Sequence, residues 1–150
     1  MRTIPILLVS AFALCSQTSA PDAPPIQVTG QIAAVDPQWN FANGVGLFMT
    51  VRNVSSRGIQ GYAYETVFTD PDTGAILEHR TRSAYKQPAL GIALAAGAGA
   101  SPPKPYPIPK LASAKAPAFS FKVDLVVFDD GTTWGPADTR TARQLLSRMH

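Results

Sequence analysis

Apolar and polar side chains alternate along much of this chain, and a period of two predicts strands rather than helices. Ile26-Gln27-Val28-Thr29-Gly30-Gln31-Ile32 sets apolar against polar or small residues at each step, as a half-buried strand requires. Asp36-Pro37 and Asn43-Gly44 then mark a loop. Val45, Leu47, Met49 and Val51 recur at every second position, with Gly46, Thr50 and Arg52 between them. Phe48 interrupts that polar face, and a neighbouring element is its expected cover. After a turn from Asn53 to Gly58, a third strand from Ile59 to Thr69 carries Tyr62, Tyr64, Thr66 and Phe68 on one face. It ends at Asp70-Pro71-Asp72-Thr73-Gly74, where proline presets φ and glycine supplies a positive one. Ala75 to Arg82 returns as a strand whose Glu78, Arg80 and Arg82 suit a sheet edge or a solvent face.

The middle of the chain loses this regularity. Leu90 to Ala100 is almost wholly alanine and glycine, and Pro102, Pro103, Pro105, Pro107 and Pro109 follow within the next ten positions. Glycine weakens regular elements and proline removes backbone donors. The expectation is a short strand around Tyr85 to Leu94, then an extended, polyproline-like crossover. The clearest strand comes next, with Phe119, Phe121, Val123, Leu125 and Val127 on one face and Ser120, Lys122 and Asp124 on the other. Asp129-Asp130-Gly131-Thr132 turns it into a short return strand carrying Trp134, and Pro136 closes the sheet region. From Asp138 the period becomes helical. Ala142, Leu145, Leu146 and Met149 fall at i, i+3, i+4 and i+7, Arg140, Arg143 and Arg148 lie elsewhere on the wheel, and Asp138 or Thr139 can cap the start.

Short strands, regular turn signals and one terminal helix predict an all-β fold: an antiparallel, immunoglobulin-like β-sandwich with a short C-terminal amphipathic helix. The sandwich is expected over residues 26–136 and the helix over 137–150. Val28, Leu47, Val51, Phe121, Val123 and Leu125 are the expected shared core. Val45-Gly46-Leu47-Phe48-Met49-Thr50-Val51-Arg52-Asn53-Val54-Ser55-Ser56, with Ile59-Gln60-Gly61-Tyr62 and Val67-Phe68-Thr69-Asp70, resembles the strand–Asn–turn–strand core of FxLYD-type domains of bacterial envelope proteins. The likeness spans roughly residues 26 to 128, and Phe119-Ser120-Phe121-Lys122-Val123 departs from the motif that names the family. The resemblance implies an immunoglobulin-like, non-enzymatic domain.

The N-terminus changes where such a domain would work. Met1-Arg2, an apolar run from Ile4 to Leu14, and Ser16-Gln17-Thr18-Ser19-Ala20 follow the layout of a secretory signal peptide. The apolar run is well short of the ~20 residues that span a bilayer as a helix. Residues 1–20 are expected to be removed and 21–25 to form a flexible leader, with a cut after Ser16 as the alternative because Pro21 follows Ala20. Cys15 is the one cysteine; lipid attachment there would tether the chain, although the large Leu14 precedes it. The expected location is outside the cytoplasm, periplasmic or extracellular. A cut after Cys15 leaves no thiol for disulfides, nucleophilic catalysis or zinc.

Charge narrows the partners. The chain carries +3 with a charged fraction of 15%, and its basic residues are scattered until the tail, so no nucleic-acid stripe exists. Proton transfer near neutrality needs a well-placed histidine or carboxylate. His79 lies among Glu78, Arg80 and Arg82 on a polar strand, and His150 is terminal. Asp129-Asp130 reads as a turn, because adjacent strand residues point to opposite faces. Asp70 and Asp72 echo a calcium loop without its distal bidentate glutamate. Asn53-Val54-Ser55 matches a glycosylation sequon that the turn itself accounts for. No catalytic, cofactor or metal residue is therefore assigned.

Among Trp39, Tyr62, Tyr64, Tyr85, Tyr106 and Trp134, the trio Tyr62, Tyr64 and Trp134 forms the candidate ligand platform. The proline run could dock in an aromatic groove, but a stiff crossover accounts for it better. Leu145, Leu146 and Met149 form a candidate interaction helix, with packing against the chain's own sandwich as the default. Membrane contact is expected only through that helix or a lipidated Cys15. The expected function is an exported, non-catalytic domain of the cell envelope that meets an envelope protein or glycan. A carbohydrate-binding module is the alternative, and a small hydrolase a more distant one.

Overall fold

The computed structural model describes residues 23–41, 43–87, 91, 93–111 and 115–150. The signal segment, Cys15, and Pro21 and Asp22 of the leader lie outside them. The chain forms two antiparallel sheets and one helix. The strands are β1 (Ile26–Ala34), β2 (Val45–Asn53), β3 (Ile59–Thr69), β4 (Ile76–Tyr85), β5 (Gly99–Ala100), β6 (Tyr106–Pro107), β7 (Ala118–Phe128) and β8 (Thr133–Trp134), followed by α1 (Arg140–Met149). One sheet runs β1-β2-β5 with β6 also pairing β2; the other runs β4-β3-β7-β8. This is the strand order of an immunoglobulin sandwich, A-B-E against C′-C-F-G. Among the described residues, no helix is long and apolar enough to cross a membrane.

The alternating pattern builds the interior. Leu47, Met49 and Val51 of β2 face Tyr62, Tyr64 and Phe68 of β3, and Val126 and Phe128 of β7 complete the cluster. Phe119, Phe121 and Val123 pack against it from the other half of β7. A second core lies on the opposite side of the same sheet, where α1 lays Ala142 and Leu145 on Ala63, Leu125 and Val127. Strand β3 is thus covered on both faces, by the facing sheet and by the helix.

This layering corrects three expectations. Leu125 and Val127 do not continue the face of Phe119, Phe121 and Val123. Val123 pairs with Tyr64 and Leu125 with Ala63, so Asp124 is an extra residue, a bulge. Beyond it the parity reverses: Val126 and Phe128 turn inward, and Leu125 and Val127 turn out beneath the helix. Among the described residues, none between Tyr85 and Leu94 lies in a strand. Strand β4 ends at Tyr85, and Leu94 makes a single isolated bridge to Ile59. Among the described residues no element covers Phe48, which remains 42% exposed.

Two buried polar residues fix the connections. Asn53 is fully buried, and its amide is spent on both sides. Its Nδ2 donates to the carbonyls of Arg57 (2.6 Å) and Leu94 (3.0 Å), and its Oδ1 accepts from the amide and hydroxyl of Ser55. Gln60 Nε2 likewise donates to the carbonyls of Lys86 and Gly91. Every polar side-chain atom buried among the described residues has a partner.

Candidate functional site

The two long edges β2 and β4 meet unequally at one side of the sandwich. Strand β2 is closed at Arg52 and Val51 by β5, and at Leu47 and Gly46 by β6, but not between them. Pro102, Pro103 and Pro105 occupy that interval and have no N–H to offer a ladder. The proline run is therefore an arch over a gap in the sheet. Beneath it lies a cavity of about 390 Å³, lined by Val51, Tyr62, Tyr64, Arg82, Ser83, Ala84, Ala100, Ser101, Pro102, Pro103 and Tyr106.

Strand alternation puts the tyrosines there. Tyr62 and Tyr64 both point between the sheets and are 7% and 3% exposed. Their rings stack at 6.3 Å with 24° between planes, and Tyr64 meets Phe121 edge-on. In register with them on β4 are Ala84 and Arg82. Tyr106 enters from β6 in the facing sheet, and the Arg82 guanidinium lies 4.4 Å from its ring centroid, an amino–aromatic contact. Burial, and then Tyr106, pushes the Tyr62 phenol up. Tyr64 is driven well above the ordinary phenol range by burial, by Tyr106 and by Tyr62, against a smaller opposing effect of Arg82. Both phenols stay protonated at physiological pH, as hydroxyl donors in an apolar enclosure. Among the described residues, no carboxylate or imidazole lines the cavity.

Arg80 and Arg82 share the inward face of β4 but meet different fates. Arg80 bonds the Glu78 carboxylate and the Pro107 carbonyl and lies over Phe68, bridging the two sheets. Arg82 has no carboxylate partner among the described residues, and its side chain is exposed at the rim.

The trio expected as one platform is divided. Tyr62 and Tyr64 share the cavity, with their rings turned into the sandwich. Trp134 sits on β8 at the opposite sheet edge, beside a different hollow lined by Phe128 and Arg57. Three rings cannot present one surface row across a core. Leu145 is buried against the sheet, and Leu146 and Met149 are partly buried beside it, so the helix stripe faces the chain's own sandwich. His79 faces outward and meets Glu65 at 3.3 Å. Asp70 closes its own turn by accepting from Asp72 and Thr73 amides, while Asp72 pairs with Lys115. Asp130 holds Thr132 and pairs with Arg57. Sequence reasoning noted Arg82 as an edge charge and missed its place at a cavity mouth. The alternation of Tyr62, Tyr64 and Arg82 was visible, but the arch opposite them was not.

No protein-family model and no curated protein matches the chain. Among solved structures, a 1.85 Å X-ray structure of a hypothetical protein from Peptoclostridium difficile 630 is similar over 85% of this chain and 92% of that one. The identity is 11% and the TM-score 0.49, too distant a likeness to carry an argument.

Proposed function

We propose that this chain is an exported, non-catalytic sandwich of the cell envelope that recognises a protein or cell-wall component in the cavity between β4 and the proline arch. The observation that carries the reading is the cavity itself: apolar walls, buried phenols and one uncommitted guanidinium form a binding surface without acid–base machinery. The signal-like N-terminus and the resemblance to FxLYD-type domains supply the envelope context. Flat stacking of sugars on exposed rings is disfavoured, because Tyr62 and Tyr64 are enclosed.

Two measurements test it. N-terminal sequencing of exported material should find the first 16 to 20 residues removed; unprocessed protein in the cytoplasm refutes export. Soluble cell-wall fragments and envelope peptides titrated into isotope-labelled protein should shift resonances of Tyr64, Ala84 and Ala100. Shifts confined to another face refute the site.

A further inference from the structure

Building on that reading, we infer that the cavity takes an apolar group bearing a carboxylate, with the apolar part among the tyrosines and the carboxylate on Arg82. Four features lead there. The cavity is large enough for a ring or a short aliphatic chain, at about 390 Å³. Its walls are predominantly Val51, the tyrosines and prolines, so apolar burial supplies the affinity. Arg82 stands at the rim with no carboxylate of this chain beside it, whereas Arg80, two residues away, is fully engaged. Finally, the Arg82 guanidinium carbon lies over the Tyr106 ring, 4.4 Å from its centroid, a contact with the ring's π-face that takes up no carboxylate and leaves the guanidinium N–H groups as the donors for an anion.

A planar guanidinium matches a carboxylate through two parallel hydrogen bonds. A single cation at the mouth favours a singly charged group, since a phosphate's further charge and oxygens have no second cation among the lining residues. Two sources carry this chemistry: the C-terminus of a peptide ending in an apolar residue, and a medium-chain fatty acid.

The test uses matched probes on the mature protein, followed calorimetrically and by NMR. N-acetyl-alanyl-phenylalanine and decanoate represent the two sources, and their primary amides remove the charge. The favoured source should bind at least about tenfold more tightly as acid than as amide, the scale of one charge-assisted hydrogen bond. In Arg82→Gln that acid-to-amide ratio should fall below about threefold. Ala84→Trp, which fills the cavity from an edge strand, should abolish binding of the acid. Circular dichroism of both variants confirms that they fold. Equal binding of acid and amide, or an acid preference that survives Arg82→Gln, overturns the assignment. If neither acid binds, the ligand class is wrong. The same variants separate that result from failure of the broader proposal: cell-wall fragments or envelope peptides lost on Ala84→Trp keep the cavity as the site, and unchanged binding removes it.

Discussion

Asp124→Ala should release the C-terminal helix, and the cost can be worked from its contacts. Asp124 is 1% exposed and sits at the bulge of β7, against the N-terminal end of α1. Its Oδ1 accepts the Asp138 amide at 2.8 Å, and its Oδ2 accepts the Thr139 amide at 2.9 Å and the Thr139 hydroxyl at 2.6 Å. That hydroxyl in turn caps α1 by accepting the Ala142 amide at 3.1 Å. Truncation removes three charge-assisted bonds from partly buried donors, which at about 1 to 1.5 kcal/mol each amounts to about 3 to 4.5 kcal/mol. For a domain of this size that lowers the unfolding midpoint by about 10 °C or more. Urea unfolding followed by circular dichroism measures it, and Thr139→Val combined with Asp124→Ala should be clearly less than additive because the two share a bond. The dependence on pH is a second readout. Burial pushes the Asp124 carboxyl up, but the Thr139 hydroxyl, the amides of Thr139 and Asp138 and the charge of Lys122 outweigh it and hold it below the ordinary aspartate range. A group with a depressed folded pKa stabilises fully above its unfolded value, about 4, and loses that contribution as the pH falls through the folded one. The stability gap between wild type and Asp124→Ala should be constant near neutrality and shrink in acid below about pH 4. A loss under about 0.5 kcal/mol at pH 7, or a gap that widens in acid, refutes the anchoring role.

Asn53→Ala should cost about 2 to 4 kcal/mol in equilibrium unfolding, because the Ser55 amide and hydroxyl lose their acceptor and the carbonyls of Arg57 and Leu94 each lose one of two donors. Leu125→Ala should cost about 2 to 5 kcal/mol, and hydrogen exchange should then speed up first in α1 rather than at the sandwich interior. Deleting residues 140–150 should lower the thermal midpoint, since burial of Leu145 alone is worth about 1.5 to 3 kcal/mol; an unchanged midpoint would make the helix an interaction element instead. Gly135→Ala should destabilise, because the residue has φ +101° and an added Cβ would lie 2.4 Å from the Asp124 carbonyl oxygen.

Much of the frame was legible because local pattern and tertiary demand agree. The third strand was bounded at Ile59 and Thr69, where β3 begins and ends. Thr139 was a candidate cap, and it is the N-cap of α1. The parity of β7 was not legible from alternation, since Phe119, Phe121, Val123, Leu125 and Val127 fit a single face. A hint lay in the unbroken run Leu125-Val126-Val127-Phe128, which a strand covered on both sides requires. Gly61 and Ala63 hinted at the same thing from β3: an added Cβ on Gly61 would come within 3.2 Å of Leu145. Small residues on a strand's outer face make room for a helix.

The cavity was hidden for a different reason. Tyr62, Tyr64 and Arg82 obey the period of two, but that period cannot say what stands opposite them. Their environment is set by residues 99–107, which pair with β2 through two residues at each end and arch away between. Proline prevents the arch from zipping onto β2, so the segment that defeats prediction by regular pattern is the one that keeps space open above the tyrosines. The contrast between Arg80 and Arg82 arises the same way. Both alternate correctly on β4, yet Arg80 finds the Pro107 carbonyl while Arg82 finds only a ring face, because β6 ends at Pro107 and begins at Tyr106. Which arginine remains available to an anion is therefore decided by the register of a two-residue strand pair, a long-range fact that neither segment carries alone.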